Sequence, residues 1–419
     1  MIKEKSKQWI VGLEIGTTKI VTLVGEILID GTINIVGIGQ CLSKGIDIGH
    51  INNLQNIVSC IKKTIYEAEI ISKYKISSIY LSISNKYIKC KNEIGLIPIK
   101  KQEVTKQDIK NAIYIAQCIK LNSDYKILHT IPKEYSIDKD IGIKNPIGLS
   151  GVRMEAQVHL ITYKKNIQKN ISKALKLCKL KIKKKIFSGL ASSEAVLTLE
   201  EKKSGVCMID IGGGSIEIVI YINGDIQHSQ VIPYAGNIIT HDIAYIFNIS
   251  FQKAEKIKIQ YGFKKLSSLT AEELIEISSI YGIKTKTIQT HLLMQVIESR
   301  YLELLNIINN IIIDTQEKLY CSGKPYFIKS GLVFTGGSVQ TKSLYYFSKK
   351  VFNLPIRIGK PININTYNKH IINPSYATVI GLLKYGKQFN NKKKNINKKN
   401  KFQKWFNIFK NFFIKNKKY

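Results

Sequence analysis

Arginine is almost missing from this 419-residue chain: Arg153, Arg300 and Arg357 stand against 61 lysines. Recognition of phosphate backbones and base edges favours planar guanidinium forks. The formal net charge of +34 is therefore not read as a nucleic-acid surface, and no nucleic-acid partner is expected. Long apolar runs are missing too. The greasiest stretch, Leu304 to Ile313, is interrupted by Asn306, Asn309 and Asn310, which excludes a spanning helix of about 20 residues. The short apolar segment near the N-terminus ends in a Gly-Thr turn, not a small-residue cleavage site, so it is not read as a signal peptide. The seven cysteines form no C-x-x-C pair and read as ordinary reduced thiols of a cytosolic protein. Acidic residues stop at Glu317; everything beyond is neutral or basic.

What is present is a globular composition. Apolar residues make up 44% of the chain, which excludes a disordered or fibrous chain, and the length suits two to four packed subdomains. The 76 isoleucines, with lysine and asparagine, point to an A/T-rich coding bias, so most of the charge reads as drift towards lysine.

Two segments share one design. Val11 to Gly39 and Val206 to Pro233 each hold an apolar strand ending in an acid, a glycine turn, a second strand, a Gly-containing hairpin and a third strand. Glu14 aligns with Asp210 and Gly16 with Gly212. A long-period repeat of this kind predicts a duplicated α/β domain with a cleft between two halves. Glycines without Cβ let backbone amides approach an anion closely. Thr17, Thr18 and Ser215 add hydroxyls and Lys19 a positive charge, so Gly16–Lys19 and Gly212, Gly213, Gly214 and Ser215 are expected to clamp nucleotide phosphates from both sides. Glu14 and Asp210 suit a hydrated Mg²⁺, which keeps its waters and takes one or two carboxylates. A third turn, Phe334-Thr335-Gly336-Gly337-Ser338, suits close approach to a base or ribose. A bland tight turn is the competing reading for any one of these loops alone.

The last stretch, KFQKWFNIFKNFFIKNKKY, follows a polar, lysine-rich linker over 387–401. On a helical wheel Phe402, Phe406, Phe409 and Phe413 share a stripe, with Trp405 and Phe412 beside it and lysines opposite. An acid-free aromatic stripe of this kind predicts a helix lying in the interface of an anionic membrane. A terminal helix docked on the protein's own body is the alternative.

The motifs G-L-E-I-G-T-T-K, K-N-P-I-G-L-S-G-V-R-M-E-A, G-L-A-S-S-E-A-V-L-T, D-I-G-G-G-S and G-L-V-F-T-G-G-S resemble the FtsA family of bacterial cell-division proteins, within the actin-like ATPase superfamily. The likeness runs from Trp9 to the tail. It implies an actin-like duplicated ribonuclease-H-type α/β fold, two lobes around a nucleotide cleft, with an inserted 1C-type subdomain and a C-terminal amphipathic helix. It implies subdomain 1A at 1–84, 165–203 and 361–386, 1C at 85–164, 2A at 204–245 and 320–360, and 2B at 246–319, before the linker and a membrane helix at 402–416.

It further implies ATP and Mg²⁺ as cofactors. The implied partners are the C-terminal peptide of the tubulin-like protein FtsZ, further copies of the same chain in filaments, anionic lipid and later division proteins. The place of action would be the cytoplasmic face of the cell membrane at the division site. The inserted segment is then an interaction module, with a plain stabilising insertion as the alternative. Glu194 becomes a candidate for orienting an attacking water, against a reading as a first-turn acid on a helix capped by serines. Glu255 and Lys256, on a helix expected over Phe251 to Tyr261, fall where the superfamily meets the ribose or base, against a solvated charge pair. Arg300, on a long amphipathic helix expected over Ile288 to Leu319, is a candidate for the FtsZ interface, against an internal ion pair with Glu298, Glu303 or another acid. Hydrolysis is expected to be weak if present. A soluble kinase or phosphatase of the same superfamily and a PilM-like pilus-assembly scaffold are the rival functions; neither accounts for the lipid-seeking tail.

Overall fold

A computed structural model describes residues 7–261, 274–278, 285–321, 327–340 and 342–391. Two sheets carry the repeat. The first has six strands in the order Lys181–Phe187, Ser78–Ile83, Gln8–Ile15, Lys19–Ile27, Ile33–Leu42 and Asn365–Thr366. Its centre is the antiparallel meander from Gln8 to Leu42, and the outer strands join in parallel. The second has the order Asp225–Ile232, Ile216–Ile222, Val206–Ile211, Leu332–Thr335 and Ile356–Ile358. Again an antiparallel meander is extended by parallel strands. The strands read as unbroken apolar runs because both faces are covered: every residue of Val206–Ile211 and of Ile216–Ile222 is buried.

Each lobe has its own core. Ile10, Leu13, Ile20 and Leu23 pack with Ile57 and Ile61 of the Leu54–Ser72 helix and with Val379, Leu382 and Leu383. Val206, Met208, Val219 and Val333 of the second sheet join this same core, so one face of the second sheet is covered by the first lobe. Its other face packs on Ile239, Ile243, Leu293, Ile297 and Leu305.

Between the Ser78–Ile83 strand and the Lys165–Leu177 helix lies a separate four-stranded antiparallel sheet, Lys89–Pro98, Arg153–Lys164, Tyr125–Ile137 and Asp140–Ile143. The Lys106–Gln117 helix packs on it, opened by a capping box between Thr105 and Asp108. This sheet reaches across to the second lobe. His159 holds Asn92 through Nδ1 and Ser229 through Nε2, both at 2.7 Å.

Three expectations need correction. The expected end of the folded body near Gly386 is too early. A helix over 377–391 continues past it, because Phe389 lies under the Lys184 amine and Asn390 accepts from the Tyr80 hydroxyl at 3.1 Å. The first five residues assigned to the linker are therefore helical; the rest of the linker and the aromatic stripe from Phe402 to Phe413 lie outside the described residues. The long helix runs from Thr290 to Cys321, and its buried stripe is centred on Leu293, Ile297, Tyr301, Leu304, Ile308 and Ile312. Helical spacing in the sequence puts Leu292 in that stripe with Val296, Leu304, Ile308 and Ile311, but Leu292 is exposed. The Phe251–Tyr261 helix has the expected bounds.

Candidate nucleotide cleft

The two repeat turns have the same backbone bond. Gly16 N donates to Lys19 O at 3.0 Å, and Gly212 N donates to Ser215 O at 3.0 Å. Each closes the central hairpin of its sheet. The turns face each other tip to tip. A Cβ on Gly213 would stand 1.9 Å from Thr18 Oγ1, and one on Gly214 would stand 2.5 Å from Thr17 Oγ1. Glycine is needed there for approach to the opposite turn. At Gly336 it is needed for conformation as well: φ is +97°, and a Cβ would stand 2.3 Å from Asp210 Oδ1.

Together these turns line a cavity of about 330 Å³ with Glu14, Lys19, Asp210, Glu255 and Gly337, a volume suited to a small ligand. The sequence left several lining residues unnoticed: Ser84, Ser188, Glu217, Asn237, Lys258 and Thr378. Glu217 was within reach, since it sits directly across the hairpin from Asp210. Thr378 carries no local signal; it comes from the far end of the chain.

The carboxylates set the electrostatics. Asp210 accepts from Ser192 Oγ and, at 3.2 Å, from Thr378 Oγ1. Burial raises its pKa, and those hydroxyls and Lys19 oppose the rise. Burial pushes Glu14 up to about 7, with Lys19 opposing and Asp210 adding to the shift. Glu14 Oε2 is buried without a partner. Glu217 accepts from Ser84 and from Ser215 at 2.7 Å and is pushed up to about 8, by burial first and then by Asp210. The Lys19 amine lies 3.8 Å from the centre of the Tyr376 ring, and burial lowers its pKa. Three sequestered carboxylates, one with an orphaned oxygen, form a site that a positive charge completes. Among the described residues no three His, Cys, Asp or Glu side chains are arranged to hold a metal directly. The donor set thus fits a hydrated divalent ion touched by one or two carboxylates.

An ion pair with a buried lysine also lines the cleft. Lys258 Nζ lies 2.7 Å from Glu255 Oε2 and donates to Thr240 Oγ1 at 2.8 Å. Burial lowers the Lys258 amine, with Glu255 opposing. Glu255 is where the sequence puts it, but Lys256 is exposed on the outer face of its helix. Two residues, about 200° of helix, set which lysine turns inwards, and it is Lys258. Next to the pair, Gly236 N and Asn237 N at a helix start donate to Gly212 O and Gly213 O at 3.2 and 2.8 Å.

Glu194 is placed differently from the sequence reading, and Arg300 takes its alternative reading, the internal ion pair. Glu194 is not a lining residue of the cleft. It stands in the last turn of the Ser188–Val196 helix, paired with Lys202 and accepting from Gln388 at 3.0 Å. The same helix turns Ser188 and Ser192 towards the cleft side instead. The cap reading fails as well, since that helix has no side-chain cap and no acid in its first turn. Arg300 is committed internally: Nε and Nη2 hold Asp242 at 2.6 and 3.2 Å, and Nη1 holds Glu303 at 2.7 Å.

The family model "Cell division protein FtsA" matches residues 207–381, and "SHS2 domain inserted in FTSA" matches 85–162. The chain is 53% identical over 420 residues to the cell division protein FtsA of Buchnera aphidicola subsp. Schizaphis graminum, covering 99% of this chain and all of that one. It is 46% identical over 388 residues to that of Escherichia coli K12, covering 93% and 92%. Among solved structures it resembles a chain of a PilM-PilN type IV pilus biogenesis complex, with TM-score 0.64, 15% identity and coverage of 90% and 98%. It also resembles MreB5 of Spiroplasma citri bound to ADP, with TM-score 0.53, 15% identity and coverage of 93% and 98%. At such identity these two share the fold with this chain, an actin-like one.

Proposed function

This chain belongs to the FtsA family of cell-division proteins, and on that premise we propose that it binds ATP in the cleft and, so loaded, assembles on the membrane through its aromatic tail. The observation that carries the reading is the pair of glycine turns, closed by the same backbone bond, meeting tip to tip over buried carboxylates. In this reading Gly16, Thr17, Thr18 and Lys19 hold phosphate from one lobe, and Gly212, Gly213, Gly214 and Ser215 from the other. Asp210 and Glu14 hold the waters of a Mg²⁺ ion, which would neutralise the phosphates. Gly336, Gly337 and the Glu255–Lys258 pair receive the adenosine. Glu194 is tied to Lys202 outside the cleft, so this reading gives it no part in orienting water and treats the nucleotide as serving assembly, with slow hydrolysis.

The tail, with Phe402, Trp405, Phe406, Phe409, Phe412 and Phe413, would tether filaments of the tubulin-like partner FtsZ to the cytoplasmic face of the membrane. Partial burial of six aromatics offers only modest affinity for one copy, and polymerisation multiplies it. The second lobe, around the Thr290–Cys321 helix, would receive the FtsZ C-terminal peptide, and the inserted sheet would serve self-assembly and later division proteins. The rival soluble kinase, phosphatase and pilus-scaffold readings lose their support to relatives that match over nearly the whole chain.

The test is co-sedimentation with anionic vesicles, with and without ATP, of the full chain and of one ending at Asn391. The expected result is pelleting that needs the tail and increases with ATP. Equal pelleting of both chains would remove the anchor from the account.

A further inference from the structure

Away from the cleft, a groove of about 460 Å³ lies between the Lys165–Leu177 helix and the strands beside it. Six lysines line it: Lys126, Lys165, Lys169, Lys173, Lys176 and Lys185. Lysine is abundant throughout this chain, so their number alone says little. Their surroundings say more. Elsewhere lysines meet acids, as Lys75 meets Glu69 and Lys350 meets Glu298. No carboxylate lines this groove, and among the described residues none of the six pairs with one. Lys165 donates to Ser123 O. On the helix, positions 165, 169, 173 and 176 follow the four- and three-residue spacing that stacks side chains on one face, where like charges repel. Lys185 is partly buried beside the Tyr163 ring, and its amine is lowered by burial and then by Lys126.

A second, independent observation points to a ligand. Gln168, also lining the groove, is 4% exposed, and its amide Nε2 is buried with no partner. An unsatisfied buried donor beneath a ring of cations is complementary to an acceptor oxygen carrying negative charge. The location narrows the source. Lys184, next to Lys185 on the same strand, holds its amine 4.5 Å from the ring of Phe389, on the helix that leads to the tail. Successive strand residues face opposite ways, so the groove and the helix that leads to the tail flank the same strand of the first lobe.

We propose that this lysine groove binds the phosphate groups of anionic phospholipids, as a second contact with the surface that the tail enters. This rests on the tail reading given above. Soluble phosphate compounds offer the same chemistry, and the experiment separates the two. Full-length protein is titrated with phosphatidylcholine vesicles with and without phosphatidylglycerol, and separately with pyrophosphate. The groove variant K169Q/K173Q/K176Q is compared with K100Q/K101Q/K106Q, which removes the same charge from the inserted sheet.

A lysine near an anionic surface contributes about fivefold in affinity. The groove variant is therefore expected to lose tenfold or more on phosphatidylglycerol vesicles, and the control about threefold or less. Gln168→Met keeps the charge and the fold, and is expected to lose affinity for phosphatidylglycerol vesicles severalfold without a fall in Tm. Equal losses in the two triple variants, or unchanged binding by Gln168→Met, would overturn the proposal. Pyrophosphate binding that the groove variant abolishes, with vesicle binding untouched, would assign the groove to a soluble anion and overturn it too. Full-length protein carrying Phe406→Glu and Phe409→Glu tests the tail separately. If that variant binds like wild type, the tail reading fails while the groove is judged by its own variants.

Discussion

Replacing Gly213 by alanine tests whether the two lobes close on each other through their glycine turns. The added Cβ would stand 1.9 Å from Thr18 Oγ1 and 3.3 Å from Thr18 Cβ. The first distance must open by about 1.5 Å to reach ordinary contact, so the turns must part or Thr18 must rotate. Overpacking of this size costs about 1–3 kcal/mol. The cost falls on closure, because Gly213 has no positive φ and lies at a turn tip, outside both cores. Nucleotide affinity should drop by roughly five- to a hundredfold, while Tm without nucleotide moves little.

Thr18→Ala removes the clashing oxygen and leaves the 3.3 Å contact. Alone it should weaken binding by about 1 kcal/mol through the lost hydroxyl. In the double variant the two effects should therefore be less than additive. Titration calorimetry with ATP and Mg²⁺ on the four proteins gives the coupling. Strict additivity, or wild-type affinity for Gly213→Ala, would refute tip-to-tip closure over the ligand.

Glu14 and Glu217 have folded pKa values of about 7 and about 8, above the ordinary carboxylate value of 4.5. The folded state thus holds protons that the unfolded chain has released, so stability without ligand should fall as pH rises from about 4.5 to about 8 and level off above. Glu217→Gln should flatten that decline and raise Tm at pH 8 by about 2–4 °C; an unchanged profile from thermal melts across this pH range would contradict the burial argument. Arg300→Ala should lower Tm by about 2–5 °C by releasing Asp242 and Glu303, whereas a pure interface residue would leave Tm alone and lose only peptide binding. Glu194→Gln should leave ATP turnover within about twofold, since the residue stands off the cleft; a tenfold fall would return it to the catalytic apparatus.

Much of this was legible in the sequence because the repeat is local. The strand, glycine turn and strand of Val11 to Gly39 and of Val206 to Pro233 each form a hairpin without help from distant residues, so both glycine turns and the place of Asp210 could be read from spacing alone. The Thr105–Asp108 capping box and the Phe251–Tyr261 helix were readable for the same reason. What failed was what depends on rotation or on distant chain. Lys256 and Lys258 differ by two residues on one helix, and packing chose the second. Glu194 was assigned by its motif, but Lys202 and Gln388 hold it on the far side of its helix. Thr378 reaches Asp210 across 168 residues, a pairing no local pattern records. The helix passing Gly386 was hidden because its polar sequence packs through a few side chains, Gln388, Phe389 and Asn390, that follow no apolar period.

The most direct measurement of the central claim is equilibrium titration of the full chain with ATP and Mg²⁺, beside Asp210→Ala at the same pH. The account predicts one saturable site in the wild-type chain, with affinity that depends on Mg²⁺ and falls tenfold or more in the variant. Wild-type affinity in Asp210→Ala, or binding indifferent to Mg²⁺, would contradict it.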